Sequence, residues 1–151
     1  MFGFGRWNAL EPASQEIIRI LVVDSDLRVG RRLVRLLKPA GDIEVVAIAV
    51  DAGAALELAA QLHPAVALVD VGPARVDGIE ITRNLCHFTP VTRVVAVSIY
   101  ATNGSRALAA GACRFLLKDC GRDDFAAAIR LAARGQCQST GAESPQSRTY
   151  E

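Results

Sequence analysis

Four side chains able to do chemistry stand at the ends of four short apolar runs: Asp24 closes ILVVD, Asp70 closes VALVD, Ser98 closes VVAVS and Lys118 closes FLLK. Two carboxylates brought close together repel, and only a proton or a divalent cation relieves that repulsion. Mg²⁺ suits such a pair, because it is a hard ion that takes oxygen ligands, keeps several waters and commonly shares its shell with a phosphoryl group. A hydroxyl and an ammonium would then hold the remaining phosphoryl oxygens. Brought to one place, the four residues suit phosphoryl transfer to a carboxylate.

Each of them has a plainer reading when taken singly. Asp24, Ser25 and Asp26 are good helix caps. Asp70 could be a loop acid ahead of a Gly-Pro turn, Ser98 a small edge residue and Lys118 a solvated charge. What joins them is the set of elements they terminate. IIRILVVD, IEVVAI, AVALVD, RVVAVS and RFLL are short and rich in β-branched residues, as strands covered on both faces should be.

Between these runs the apolar period changes to that of a helix, with Val29, Leu33, Leu36 and Leu37, then Ala55, Leu58, Ala59 and Leu62, and last Phe125, Ile129, Ala132 and Ala133. Pro39, Pro64 and Pro90 mark the ends of the first three helices, and Gly111 and Gly135 those of the last two. Asp51, Asn103 and Asp123 are expected as caps at helix starts. Regular βα alternation with short connections predicts a doubly wound α/β domain, a five-stranded parallel sheet with helices on both faces. In such sheets the carboxyl ends of the strands open onto one edge, where Asp24, Asp70, Ser98 and Lys118 would converge.

The rest of the chain narrows the function classes. Residues 1–16 form an N-terminal extension carrying Phe2, Phe4 and Trp7, residues 17–135 the domain, and residues 136–151 a polar, aperiodic stretch expected to be a disordered tail. Lys and Arg number 17 against 16 Asp and Glu, so no global field attracts nucleic acid or an anionic membrane. The cations Arg28, Arg31, Arg32, Arg35 and Lys38 crowd the first helix, as a solvated face or a docking patch for an acidic partner. No apolar run approaches the roughly 20 residues of a membrane span, and no signal peptide is evident, so a soluble cytoplasmic protein is expected. Cys86, Cys113, Cys120 and Cys137 contain no CxxC pair and are expected to be reduced, mostly structural thiols.

ILVVD, VALVDVGPARVDGIE, VVAVS and AGACRFLLKD, in that order and spacing, resemble the receiver domain of bacterial two-component response regulators over residues 17–135. The style is that of receivers that precede a helix-turn-helix output domain. The resemblance implies the flavodoxin-like strand order 2-1-3-4-5. It also implies that Asp70 is the phosphoacceptor, receiving a phosphoryl group from a histidine kinase or a histidine phosphotransfer protein. Asp24, Asp70 and the carbonyl of Gly72 would hold Mg²⁺. Ser98 and Lys118 would hold the new phosphoryl group, and Ser98 with Phe115 would carry the switch to the face of the fourth helix, fifth strand and fifth helix. On this reading the chain is a signalling domain that takes part in its own phosphoryl transfer and dephosphorylation rather than an enzyme. It would act on an output partner that the sequence does not name, with a homodimer among the assemblies allowed.

Three departures from the family pattern bear on activity. Ser25 stands where the family places a second metal-binding acid, and Asp26 comes one residue later. Pro73 and Ala74 stand one step early for the family's Met-Pro. Ile99 and Tyr100 add bulk beside Ser98. Two readings therefore stay open: a stand-alone response regulator phosphorylated at Asp70, or a degenerate receiver that works as a phosphorylation-independent interaction module. Sixteen residues follow Gly135, so direct nucleic-acid binding is not expected. A flavin or nucleotide site on the same fold would need a Gly-rich loop after the first strand, which is lacking.

Overall fold

Strand β1 (Ile18–Val23) lies near the middle of a five-stranded sheet with β2 (Ile43–Ala49), β3 (Val66–Asp70), β4 (Arg93–Ser98) and β5 (Arg114–Leu117). All pairs are parallel and the order is β2-β1-β3-β4-β5, as expected. The computed structural model describes residues 16–72 and 77–139. Phe2, Phe4, Trp7, Pro73 and Ala74 therefore lie outside the described residues.

Helices α1 (Leu27–Leu37) and α5 (Arg122–Ala133) cover one face, and α2 (Ala52–Leu62), α3 (Gly78–Phe88) and α4 (Gly104–Ala109) cover the other. The continuous apolar runs follow from this double cover. Ile20 and Val22 pack with Leu37, Phe125 and Ile129, whereas Leu21 and Val23 pack with Ala55, Ile81 and Leu85. A strand with its two alternating sets of side chains both buried has no position for a polar residue until it ends. Among the described residues no helix is long and apolar enough to cross a membrane.

The expected helix ends hold, with local differences at two starts. Pro39 sits in a 3₁₀ turn, Lys38–Ala40, beyond α1, and Pro64 follows His63, whose φ of 48° closes α2. Asp51 caps α2 by accepting from Ala54 N–H at 2.8 Å. At α5 the cap position is Gly121 and not Asp123; Asp124 reaches back to accept from the Gly121 N–H at 3.3 Å. Asn103 stands at the start of α4 but makes no side-chain cap bond, its amide being committed elsewhere.

The cysteines depart from expectation, and of the stretch 136–151 residues 140–151 lie outside the described residues. Cys113 and Cys137 form a disulfide, while Cys86 and Cys120 remain free. Sequence separation of 24 residues hid that pairing, because it is made only when α5 returns the chain to β5. Gln136–Ser139, expected as the start of a disordered tail, are described residues, and Gln136 and Gln138 hydrogen bond to the β5 segment.

Candidate functional site

Asp24 and Asp70 end neighbouring strands, and the same local device aims both. In each, Oδ1 accepts from the backbone N–H two residues on, Asp26 at 2.9 Å and Gly72 at 3.0 Å. These Asx turns orient the carboxylates, leaving both Oδ2 atoms turned toward Lys118. Its Nζ lies 3.1 Å from Asp24 Oδ2 and 3.2 Å from Asp70 Oδ2. The Lys118 backbone is fixed in turn, its N–H donating to the Ser98 carbonyl at 2.9 Å. Burial opposes the Lys118 charge, but the Asp70 and Asp24 carboxylates outweigh it and raise the ammonium above its usual range.

Ser98 is fully buried at the end of β4. Its Oγ accepts from Tyr100 N–H and from Asn103 Nδ2, both at 3.0 Å. A hydroxyl has two acceptor positions and one proton, so with both acceptors in use Ser98 has only its proton to offer. The point where a Cβ on Gly72 would lie is 3.1 Å from Asp70 Oδ1 and 3.9 Å from Ser98 Oγ, so both side chains border the same space beside that glycine. Phe115 is half-buried and packs against Gly104 at the start of α4.

The structure thus brings Asp24 and Asp70 into direct contact with Lys118 and sets Ser98 beside the same glycine as Asp70. It does not bring Ser25 or Asp26 into that contact. Ser25 is exposed, and Asp26 caps α1, accepting from Arg28 N–H at 2.9 Å. The Arg28 side chain also bonds it at 3.3 Å and holds its carboxyl below the usual range. Among the described residues no three acids, histidines or cysteines form a metal-binding group. Ile99, 62% exposed, lines with Asp24, Asp70 and Lys118 a cavity of about 440 Å³ whose walls also include Val29 and Leu33 of α1.

Two supporting residues were missed from sequence. Gly78 begins α3 hard against the site: a Cβ there would fall 2.0 Å from the Asp70 carbonyl oxygen. A Gly directly after the Asp77 cap, where any helix former could stand, was the available sign of close backbone approach. Asn103, expected as a helix cap, instead uses Nδ2 to bridge Ser98 Oγ and, at 3.2 Å, the Val71 carbonyl. Nothing local in the sequence distinguishes the two roles.

Known proteins share the sequence pattern and the fold of this chain. The model of the response regulator receiver domain matches residues 20–130. The chain is 36% identical over 122 residues to response regulator GacA of Pseudomonas protegens, covering 80% of this chain and 57% of that protein. It is 31% identical over 122 residues to the transcriptional regulatory protein LiaR of Bacillus subtilis, covering 80% and 58%. The signal receiver domain of the putative response regulator NarL from Mycobacterium tuberculosis superposes with a TM-score of 0.72 at 34% identity, covering 80% of this chain and 98% of that one. The chain spans little more than half the length of the curated relatives it matches.

Proposed function

The chain belongs to the response regulator receiver family of two-component systems, and from that premise we propose that Asp70 accepts a phosphoryl group from the phosphohistidine of a kinase or phosphotransfer protein. The observation that carries this reading is the Lys118 ammonium shared between the Asp24 and Asp70 carboxylates, with the Ser98 hydroxyl beside the same Gly72. A carboxylate oxygen of Asp70 attacks phosphorus, the P–N bond breaks, and the electron pair leaves with the imidazole to give an acyl phosphate. Lys118 and the proton of Ser98 then face phosphoryl oxygens. Attack by water on the acyl phosphate returns Asp70 to its free form, with Ile99 at the rim governing access.

The donor set fits Mg²⁺. Two carboxylates, Asp24 and Asp70, and the carbonyl of Gly72 are hard oxygen ligands, and an ion that keeps several waters needs few more. Bound there, Mg²⁺ would neutralise the charge that gathers during transfer. Ser98 moving toward the phosphoryl group releases Asn103 and lets Phe115 shift over Gly104. The result is a population shift on the face of α4, β5 and α5 that an output partner reads in the cytoplasm.

A second reading, an interaction module that works without phosphorylation, is favoured by one observation: Asp26 is committed to Arg28 and the α1 cap, so the cluster holds two acids where the family usually has three. Intact-mass analysis after a small acyl phosphate with Mg²⁺ separates the two. One added phosphoryl group on the native protein and none on Asp70→Asn is the expected result. No addition at millimolar Mg²⁺ would leave the interaction module standing alone.

A further inference from the structure

Helix α5 does not release the chain into solvent. Gly135 N–H donates to the Ala132 carbonyl at 2.8 Å and Gln136 N–H to that of Leu131 at 2.9 Å. This is a Schellman ending, with Gly135 at a φ of 79°, and it turns the chain back toward β5. β5 is an edge strand, and its outer polar groups need partners. The returning segment supplies them. Gln138 N–H donates to the Cys113 carbonyl at 2.7 Å, Phe115 N–H donates to Gln138 Oε1 at 2.6 Å, and Arg114 Nη1 donates to the Gln136 carbonyl at 2.9 Å.

We propose that Cys113 and Cys137 are a reversible redox switch: oxidation by a hydroperoxide fastens residues 136–138 as a strap along the outer edge of β5, and reduction by a small thiol releases it. The two Cα atoms lie 4.4 Å apart, so the bond needs no backbone movement. The pair is asymmetric in access. Cys113 is 2% exposed within the α5 core, and Cys137 is exposed. Cys137 is therefore the sulfur that external reagents reach, and Cys113 the resolving partner.

Oxidation proceeds in two steps. The Cys137 thiolate takes the distal hydroperoxide oxygen, the O–O bond breaks, and the remaining fragment leaves as an alcohol, or as water from hydrogen peroxide. The Cys113 thiol then attacks the sulfenic sulfur, the S–O bond breaks, and the hydroxyl leaves as water with the thiol proton. In sum, two thiols and one hydroperoxide give one disulfide, one alcohol and one water. In reduction a small thiolate attacks the Cys137 sulfur and Cys113 leaves as a thiolate that takes up a proton. A second small thiol completes the exchange, yielding a small disulfide and two protein thiols.

Without the bond the hydrogen bonds of Gln136 and Gln138 still tie the strap to the edge of the sheet. The same β5 residue, Phe115, is held by the strap through its N–H and packs on Gly104 through its ring. A fastened strap therefore holds β5 in place and damps the Ser98–Phe115 movement, a consequence that rests on the phosphoacceptor reading above.

The test uses the full chain treated with hydrogen peroxide, the chain reduced with a phosphine, and the Cys137→Ser protein. Unreduced peptide mapping should find Cys113 linked to Cys137 only after peroxide, with Cys86 and Cys120 alkylated in both states. Amide exchange at Phe115 should be about fivefold faster in the reduced and Cys137→Ser proteins, the change that follows loss of roughly one hydrogen bond's net stability. Absence of the linkage, or equal Phe115 exchange in linked and reduced protein, overturns the switch. With a small phosphodonor added, the phosphoryl-dependent change in exchange at the start of α4 should be larger in reduced protein, and equal changes overturn the regulatory consequence. If Asp70 takes up no phosphoryl group in either state, the phosphoacceptor reading falls, and linkage and Phe115 exchange still decide the strap.

Discussion

Two carboxylate–cation clusters stand at opposite edges of the sheet. At the amino edge Arg130, in the last turn of α5, donates from Nε and Nη2 to the two oxygens of Asp42, each at 2.8 Å. At the carboxyl edge a single Lys118 ammonium lies between Asp24 and Asp70. The first cluster has one charge of each sign and a planar fork that fills both carboxylate oxygens, so it is closed. The second has two negative charges against one positive and a point-like cation whose bonds do not fix a plane, so it is open to a further cation or to a group that reorganises it. A closed pair holds β2 to α5; an open trio is what a group-transfer site needs.

The carboxyl edge is disturbed most severely without touching a charge. Gly78→Ala would drive a methyl into the Asp70 carbonyl, so α3 or Asp70 must move. We expect a loss of about 3 kcal/mol in denaturant unfolding, together with loss of phosphoryl uptake in the intact-mass assay. A stability loss under about 0.5 kcal/mol would mean that the close approach is not tight. Lys118→Met tests the open charge state. Two acids with no cation between them should cost about 2–3 kcal/mol at pH 7 in chelator, and millimolar Mg²⁺ should restore part of it. If Mg²⁺ has no more effect than it does on Arg130→Met, the carboxyl-edge trio is not open to a further cation.

Smaller effects sharpen the contrast through pH. The Arg130 hydrogen bonds hold the Asp42 carboxyl below its usual 3.8. Its contribution is therefore complete above about pH 4 and is lost as pH falls through the lower folded value. Asp42→Asn should cost about 1–2 kcal/mol at pH 7, the half-exposed arginine being partly screened, and the difference from the native protein should close in acid. Lys118 is raised above 10.5, so its contribution is complete below that value and is lost only as pH rises through the folded value. Thermal unfolding of Lys118→Met and native protein should thus converge at the alkaline end. The smallest change is expected from Asp26→Ala, which removes a helix cap. Tm should fall slightly with Mg²⁺ affinity unchanged, whereas Ser25→Asp should raise that affinity; a loss of affinity in Asp26→Ala would make Asp26 a ligand.

The legible parts of the molecule share a property, locality. β-branched runs, helical stripes and terminating Pro and Gly each report the conformation of the segment that contains them. Strand ends are local features too, and in a parallel sheet they share one edge, so Asp24, Asp70, Ser98 and Lys118 could be grouped before any contact was known. Asn103 shows where that stops. A polar amide at a helix start reads as a cap, and whether it bonds its own helix or Ser98 depends on a loop 32 residues earlier that brings the Val71 carbonyl within reach.

By itself the sequence determined the parallel α/β sheet, its strand order through the family resemblance, and which residues stand at its carboxyl edge, because backbone sterics and burial act on short segments. Only the tertiary structure decided that Lys118 is shared by two acids, that Asp26 serves α1 and Arg28, that Gly78 backs Asp70, and that Cys137 meets Cys113. Each is a contact between segments distant in the chain or a choice among several available partners, and its energy exists only once the sheet and helices have fixed the distance.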